Sequence, residues 1–350
     1  MQIKKLILFI LTISVCLTVT SCYDSTEVDD MIYILAIGID EIGENNVSYT
    51  FQAAVPLNIS SGVETGFADS EESATIQNIN ITSNNIFSAF GQINAKYAKE
   101  LNVAHCKLIL FSENTSTNTF KQNIVNINSY DEFRPDILVT MCRNYAGDYL
   151  KDISSPFEKN PARYFEMFFK SNFSTQMFST EINEFEKASI VSIPFLQKNN
   201  VVQSAIIKNY ENILILSPEE TLTLNIITGK FKKGFITIPQ TGYTTSVHKI
   251  KTPEIKVAIS NHNPIFRIKI KLYTNSVKNN ATKIDIEKHI TNLCLNLLNK
   301  SSKELNEDII GLINFSKINF ITTSAYNNYN WQEKFKQAEF KVTVICKTNK

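Results

Sequence analysis

From Ile32 to Ile39 apolar and small residues follow one another without a polar break. That run predicts a strand buried on both faces. Gly38 inside it marks a close backbone approach or a bulge, and Asp40-Glu41-Ile42-Gly43 predicts the turn that follows. The period then becomes two. Val47, Tyr49, Phe51, Ala53 and Val55 share one face, Ser48, Thr50 and Gln52 the other, and Pro56 ends a half-exposed second strand. Residues Asn58–Ser73 are polar and aperiodic and predict a loop. A short strand is expected over Thr75–Ile81. Ile86, Phe90, Ile93 and Tyr97 have helical spacing, with Ser83 as N-cap. Ala104–Phe111 predicts another strand, with His105 inside it. Phe120, Ile124 and Ile127 predict a second helix, and Ile137–Cys142 a strand after the break at Arg134-Pro135. The order ββ(β)αβαβ predicts an α+β layer with helices on one sheet face.

The second half repeats this vocabulary. Tyr164, Phe165, Phe168 and Phe169 form an aromatic helical stripe, read as core-facing. Ile190–Phe195 closes the first half. A new module opens at about Val201 with a hairpin around Asn209-Tyr210-Glu211. Ser217-Pro218-Glu219-Glu220 then predicts a helix start, with Ser as N-cap, Pro at N1 and Glu at N3, and Gly229 its end. Ile255, Val257 and Ile259 alternate. So do Phe266, Ile268, Ile270 and Leu272 against Arg267, Lys269 and Lys271, a strand with a basic outer face. Ile286, Ile290, Leu293 and Leu297 predict a long amphipathic helix, and Leu305, Ile309 and Leu312 another. Phe340, Val342, Val344 and Cys346 predict a terminal strand inside the second sheet. The sum is an α+β fold of mixed, largely antiparallel sheets with packed helices, in two to three domains.

The N-terminus changes where this fold resides. Lys4-Lys5, an apolar run from Leu6 to about Leu17, and Val19-Thr20-Ser21-Cys22 have the layout of an export signal. The run is short of the about 20 apolar residues of a membrane span. Val-Thr-Ser-Cys resembles a bacterial lipobox, in which the thiol of Cys22 takes a diacylglyceryl group and becomes the new N-terminus. A plain secretory signal with an incidental Cys and an uncleaved anchor helix are the alternatives. The expected division is a lipoprotein signal peptide at 1–21, an N-terminal domain at 22–195 and a C-terminal domain at 196–350. Loss of Lys4 and Lys5 takes the net charge from +1 to −1, so no basic excess argues for nucleic acid.

The candidate chemistry is sparse. Cys106, Cys142, Cys294 and Cys346 lie in apolar stretches without metal-ligand spacing, and are read as buried thiols, with one or two disulfides as the alternative. No nucleophile elbow, phosphate loop, dinucleotide fingerprint or zinc-protease motif is present. The four His, at 105, 248, 262 and 289, are scattered. Asp131 and Glu132 are adjacent without forming an acid–base pair. No catalytic residue, metal site or cofactor is expected, apart from the covalent diacylglycerol and a further N-acyl chain on Cys22.

Taken in order, these pieces resemble the Ger(x)C spore germination lipoproteins, the C subunits of nutrient germinant receptors. Cys22-Tyr23-Asp24, Glu27-Val28-Asp29-Asp30 and Ile37-Gly38-Ile39-Asp40 are similar to the family's opening. Tyr23 stands where the family has Trp, and Thr26 where it has Arg. Ala104-His105-Cys106-Lys107, Phe133-Arg134-Pro135, Ser217-Pro218-Glu219-Glu220-Thr221, Asp308-Ile309-Ile310-Gly311-Leu312 and Trp331…Phe335 follow in family order. The resemblance implies a non-catalytic protein on the outer face of the spore inner membrane, held by a lipid anchor, with an A-type and a B-type integral membrane subunit as partners. Of individual residues, it assigns only Cys22. The alternative is an extracytoplasmic solute-binding lipoprotein serving a membrane transporter, which calls for parallel strands around a cleft. Loop Asn58–Ser73 and the face of Arg267, Lys269 and Lys271 are the candidate partner surfaces.

Overall fold

The computed structural model describes residues 30–43, 46–54, 76–152, 164, 167, 180–197, 202–239, 241–260, 262–274 and 280–348. The first half contains β1 (Met31–Gly43), β2 (Asn46–Ala54), β3 (Ile76–Ser83), α1 (Ile86–Tyr97), β4 (Glu100–Asn102), β5 (Leu108–Ser112), α2 (Thr117–Ser129), β6 (Leu138–Cys142), α3 (Ala146–Asp152), α4 (Glu184–Lys187) and β7 (Ile190–Leu196). The second contains β8 (Val202–Lys208), β9 (Glu211–Leu216), α5 (Pro218–Thr228), β10 (Lys233–Ile238), β11 (Tyr243–Lys249), β12 (Glu254–Ser260), β13 (Asn263–Thr274) and α6 (Asn280–Asn299). A π-helical turn (Lys300–Leu305), α7 (Ile313–Ser316), a 3-10 turn (Lys317–Asn319), α8 (Thr323–Asn327), α9 (Trp331–Lys336) and β14 (Glu339–Thr348) complete it.

The α+β class of the sequence reading stands, and the structure refines it. The first sheet runs β3-β2-β1-β5-β6-β7-β8-β9, with β4 lying before β5 along the same edge of β1. Its flanks are antiparallel, as expected, but β1, β5, β6 and β7 are mutually parallel. The reason lies in the connections. α2 carries the chain from β5 back to the start of β6, and such a crossover returns the next strand in the same direction. In β1, a bulge between Ile34 and Ala36 switches the inward parity. Ile34, Ile37 and Ile39 therefore join the large core, while Ala36 joins the opposite one.

Helices cover both faces of this sheet, not one. α1, α2 and α4 pack on the side of Ile37, Phe51, Phe111 and Val139. The other side is divided. α3 covers Ala36, Leu108 and Leu110, and the second half of the chain covers β8 and β9. The hairpin expected to open a new module extends the first sheet instead, through β7–β8 pairing. Its turn, Asn209-Tyr210, has φ of 49° and 71°, the left-handed pair of a two-residue hairpin. Ala205 and Ile207 face the first core, Ile206 and Leu216 the second, so the hairpin serves both.

Helix α5 begins and ends as its residues dictate. The Ser217 hydroxyl accepts from the Glu220 amide (3.2 Å), the Glu220 carboxylate accepts from the Ser217 amide (2.8 Å), and Gly229 closes the helix at φ 75°. Thr221 to Ile227 are all buried, because the helix lies between the first sheet and the second. That second sheet is β10-β11-β13-β12, with β14 on the far edge of β13. β11 and β12 lie end to end along one edge of β13. The predicted terminal strand pairs with β13 in parallel over ten positions, from Ile265↔Glu339 to Thr274↔Thr348.

Several local expectations change. β1 continues through Gly43, so Asp40–Gly43 is strand, not turn. The N-cap of α1 is Asn85, whose side chain accepts from the Ser88 amide at 2.9 Å, not Ser83. Residues 104–107 form a turn before β5, which takes His105 out of the strand. The helix expected over Leu305–Leu312 is a π-helical end of α6 followed by turns. β10 and β11 were not anticipated. Of the aromatic stripe, Tyr164 packs beside the α3 core, while Phe165, Phe168 and Phe169 lie outside the described residues.

Candidate interaction surfaces

Three arrangements of side chains stand out, beginning with Asp40. This acid ends the apolar run, yet is only 4% exposed. Its carboxylate accepts the amides of Ala146 (2.6 Å) and Gly147 (2.8 Å), the first donors of α3. Gln52 donates to the Leu150 carbonyl at the other end of the helix (3.3 Å). Gly38 lets the helix approach, since a Cβ there would lie 3.2 Å from the Ala146 carbonyl carbon and the Gly147 amide. A Cβ on Gly147 would collide with Thr50 Oγ1. Thr50 and Gln52 are thus buried beneath α3, where alternation predicted a wet face. Burial raises the Asp40 pKa above its ordinary value, against the pull of the two amide bonds. The Gly38-Ile39-Asp40 stretch of β1 is a seat for a helix.

The second arrangement is the outer face of the second sheet. Arg267 and Lys269 are exposed there. The strand register sets Lys256 on one side of Arg267 and Lys341 on the other. Lys271 lies 3.4 Å from Glu254, which also pairs with Lys251, and Lys341 lies 3.1 Å from Glu339. Cations outnumber acids on this face, so the predicted basic surface is present and wider than the three residues read from β13.

The third arrangement was not read from the sequence. α7 and the 3-10 turn after it lie along β12; Phe315 on α7, Ile318 in the turn and Ile321 just past it are 43%, 88% and 102% exposed. Their spacing of three in the sequence, set among Asn, Ser and Lys, was the available signal. Lys317 sits over the Tyr326 ring, 5.8 Å from its centre. Exposed large apolar side chains this close in the chain make a candidate interaction site, hereafter the ridge.

The remaining sequence candidates fall as follows. Cys22 and loop Asn58–Ser73 lie outside the described residues. His105 is exposed and meets the Tyr33 ring edge-on at 5.7 Å. Glu132, exposed, takes a hydrogen bond from Tyr130 (2.7 Å). Cys106, Cys142, Cys294 and Cys346 are buried free thiols. Burial pushes Cys106, Cys294 and Cys346 up to about 12 and Cys142 up as well, which makes them poor nucleophiles. Among the described residues, no group of three or more His, Cys, Asp or Glu could hold a metal ion. None of their helices is long and apolar enough to cross a membrane.

The spore germination protein N-terminal domain matches residues 24–192, and the spore germination B3/GerAC-like C-terminal domain matches residues 203–350. The chain belongs to the Ger(x)C family. Two Ger(x)C relatives come from Bacillus subtilis (strain 168). Spore germination protein B3 is 22% identical, over 98% of this chain and 96% of the relative. Spore germination protein KC is 24% identical over 162 residues, which are 46% of this chain and only 39% of that relative. The crystal structure of the GerBC protein has the same fold, with a TM-score of 0.55 at 18% identity, covering 90% of this chain and 97% of that one.

Proposed function

We propose that this Ger(x)C chain is a non-catalytic, lipid-anchored subunit of a spore nutrient germinant receptor. It sits on the outer face of the spore inner membrane and docks on an A-type and a B-type integral membrane subunit. The observation that carries the reading is the match of both family domains, in order, over nearly the whole chain. The acyl chains on Cys22 supply the anchor. β1 begins at Met31, and a chain of that length from Cys22, however arranged, could span at most about 30 Å. The first sheet is therefore held close to the bilayer and to partners embedded in it. The ridge of Phe315, Ile318 and Ile321, along the edge strand β12, is the surface offered to those partners.

A solute-binding lipoprotein is the weaker alternative. The parallel strands it calls for exist, but they belong to one continuous sheet and not to two lobes around a cleft. The test is Cys22→Ala in the native host, followed by membrane fractionation and nutrient-triggered germination. The substituted protein is expected to leave the membrane fraction or keep its signal, with a reduced nutrient response. Retention at the membrane with full response would refute lipid anchoring at Cys22.

A further inference from the structure

The second sheet has one face packed and one open. Inward and outward residues alternate along β10, β11, β13 and β14, and the inward set fills the second core. α5, α6 and α9 pack on that side through Leu224, Ile290 and Phe335. The outward set is exposed: Phe235 on β10, Thr244 on β11, Arg267 and Lys269 on β13, Lys341 and Thr343 on β14.

The charge on the open face is one-sided. Across β12, β13 and β14 the strand register turns six cations outward, Lys256, Arg267, Lys269, Lys271, Lys341 and Lys347, against two acids, Glu254 and Glu339. The whole chain carries a net charge of only +1, so the excess is gathered here. Both acids are already engaged, Glu254 by Lys251 and Lys271, Glu339 by Lys341. Lys256 and Lys341 flank Arg267 directly across the ladder. Among the described residues, Lys256, Arg267 and Lys269 meet no acid. Like charges directly opposite one another destabilise a sheet. A row of three cations with one acid among them is therefore a cost to the fold, and an anionic surface outside would relieve it. The hollow between these side chains, ≈ 390 Å³, is lined by the same cations with Glu254 and Thr343.

We propose that this face lies on the membrane surface and binds the headgroups of anionic phospholipids. Its cations stand on three neighbouring strands, about 4.8 Å apart, and so match a plane of lipid phosphates better than a single small anion. The pairing of His248 with both Lys233 and Tyr273 sets Phe235 on the same outward side. At 72% exposure, Phe235 supplies the apolar group that an interfacial protein sinks among headgroups. Attraction between basic side chains and an anionic leaflet falls off within a Debye length, so the face acts only on lipid it touches. The proposal rests on the anchored reading, which keeps the face within reach of lipid. It leaves the ridge of Phe315, Ile318 and Ile321 to protein partners.

The experiment uses the full chain isolated from host membranes and reconstituted into vesicles, of phosphatidylcholine alone or of equal parts phosphatidylcholine and phosphatidylglycerol. Flotation of the vesicles reports attachment. A water-soluble amine-acetylating reagent at limiting dose, read by mass spectrometry, reports the exposure of each lysine. With phosphatidylglycerol, Lys256, Lys269 and Lys341 should react several-fold more slowly than with phosphatidylcholine alone. Lys96 on α1 and Lys187 on α4, also exposed, should not change. The protection should vanish at about 1 M salt, where the screening length is about 3 Å. Arg267→Glu with Lys269→Glu should keep the parent Tm, since both side chains are exposed, and lose the protection of Lys256 and Lys341. Arg267→Gln with Lys269→Gln serves if that variant does not fold. A chain that joins only the phosphatidylglycerol vesicles, reversibly in salt, refutes the anchor and keeps the face. A chain that floats with both and reacts equally in both keeps the anchor and overturns the face, and one that joins neither refutes both. The face also falls if protection survives salt or the double substitution, if inorganic phosphate gives it with neutral vesicles, or if it requires the integral membrane subunits.

Discussion

Asp40 shows how much one side chain can decide. Read along the chain, an acid after an apolar run signals a turn, and nothing local says otherwise. The partners that make it a strand residue are the amides of Ala146 and Gly147, more than a hundred positions away. Asp40→Ala would leave both donors buried and unpaired, at about 1–3 kcal/mol for each such group. A loss of several kcal/mol is therefore expected in urea unfolding, and a loss below about 0.5 kcal/mol would show that the contact carries no weight. The pH dependence has a definite sign. Because burial raises the folded pKa above 3.8, the proton that Asp40 holds adds stability below that value, and the addition is lost as pH rises through the folded pKa. Asp40→Asn has no such term, so its deficit should shrink as pH rises through the same window. Thr50 and Gln52 were misread for the same reason. Alternation marks two faces but does not say what lies on each.

Elements whose signals are local were legible. Helix α5 is given by Ser217, Pro218, Glu220 and Gly229, all within its own length, and each takes the expected role. β13 and β14 follow from their alternation. Elements that depend on remote partners were not. The parallel direction of β5, β6 and β7 follows from crossovers, and the segment after α6 unwinds into a π-helical turn whose Ser301 and Ser302 hydroxyls bond to the Glu307 and Phe335 carbonyls. Of the candidate surfaces, the basic face was readable from β13, whereas the ridge at and after α7 required knowing that none of the described residues covers Ile318 and Ile321. That exposure makes the ridge separable from the fold. Ile318→Glu with Ile321→Glu should change stability by less than about 0.5 kcal/mol. If each isoleucine is buried on docking, at about 1.5–3 kcal/mol apiece, co-purification with the integral membrane subunits should fall more than about tenfold. Undiminished co-purification would remove the ridge from the docking surface.

At the scale of the molecule, the sequence and the structure divide the chain differently. The family domains part between residues 192 and 203, and that gap takes in most of β7 and the start of β8, two neighbouring strands of one sheet. Lys208 of the hairpin pairs with Glu307 from the far half, and Ile206 and Leu216 are buried in the second core. A seam so shared should make unfolding a single transition, with far-ultraviolet circular dichroism and tryptophan fluorescence from Trp331 changing together. Two separated transitions would show that the halves melt independently.

The hairpin of β8 and β9 therefore belongs to one half by descent and to the other by pairing. A fragment beginning at residue 203 would carry a ribbon with no sheet to join, and a fragment ending at residue 192 would cut through β7 before the residues that pair with β6 and bare the edge of β6, a template for misassembly. Neither half could be lost, exchanged or expressed without stranding the other. Inheritance has to pass them on as a pair.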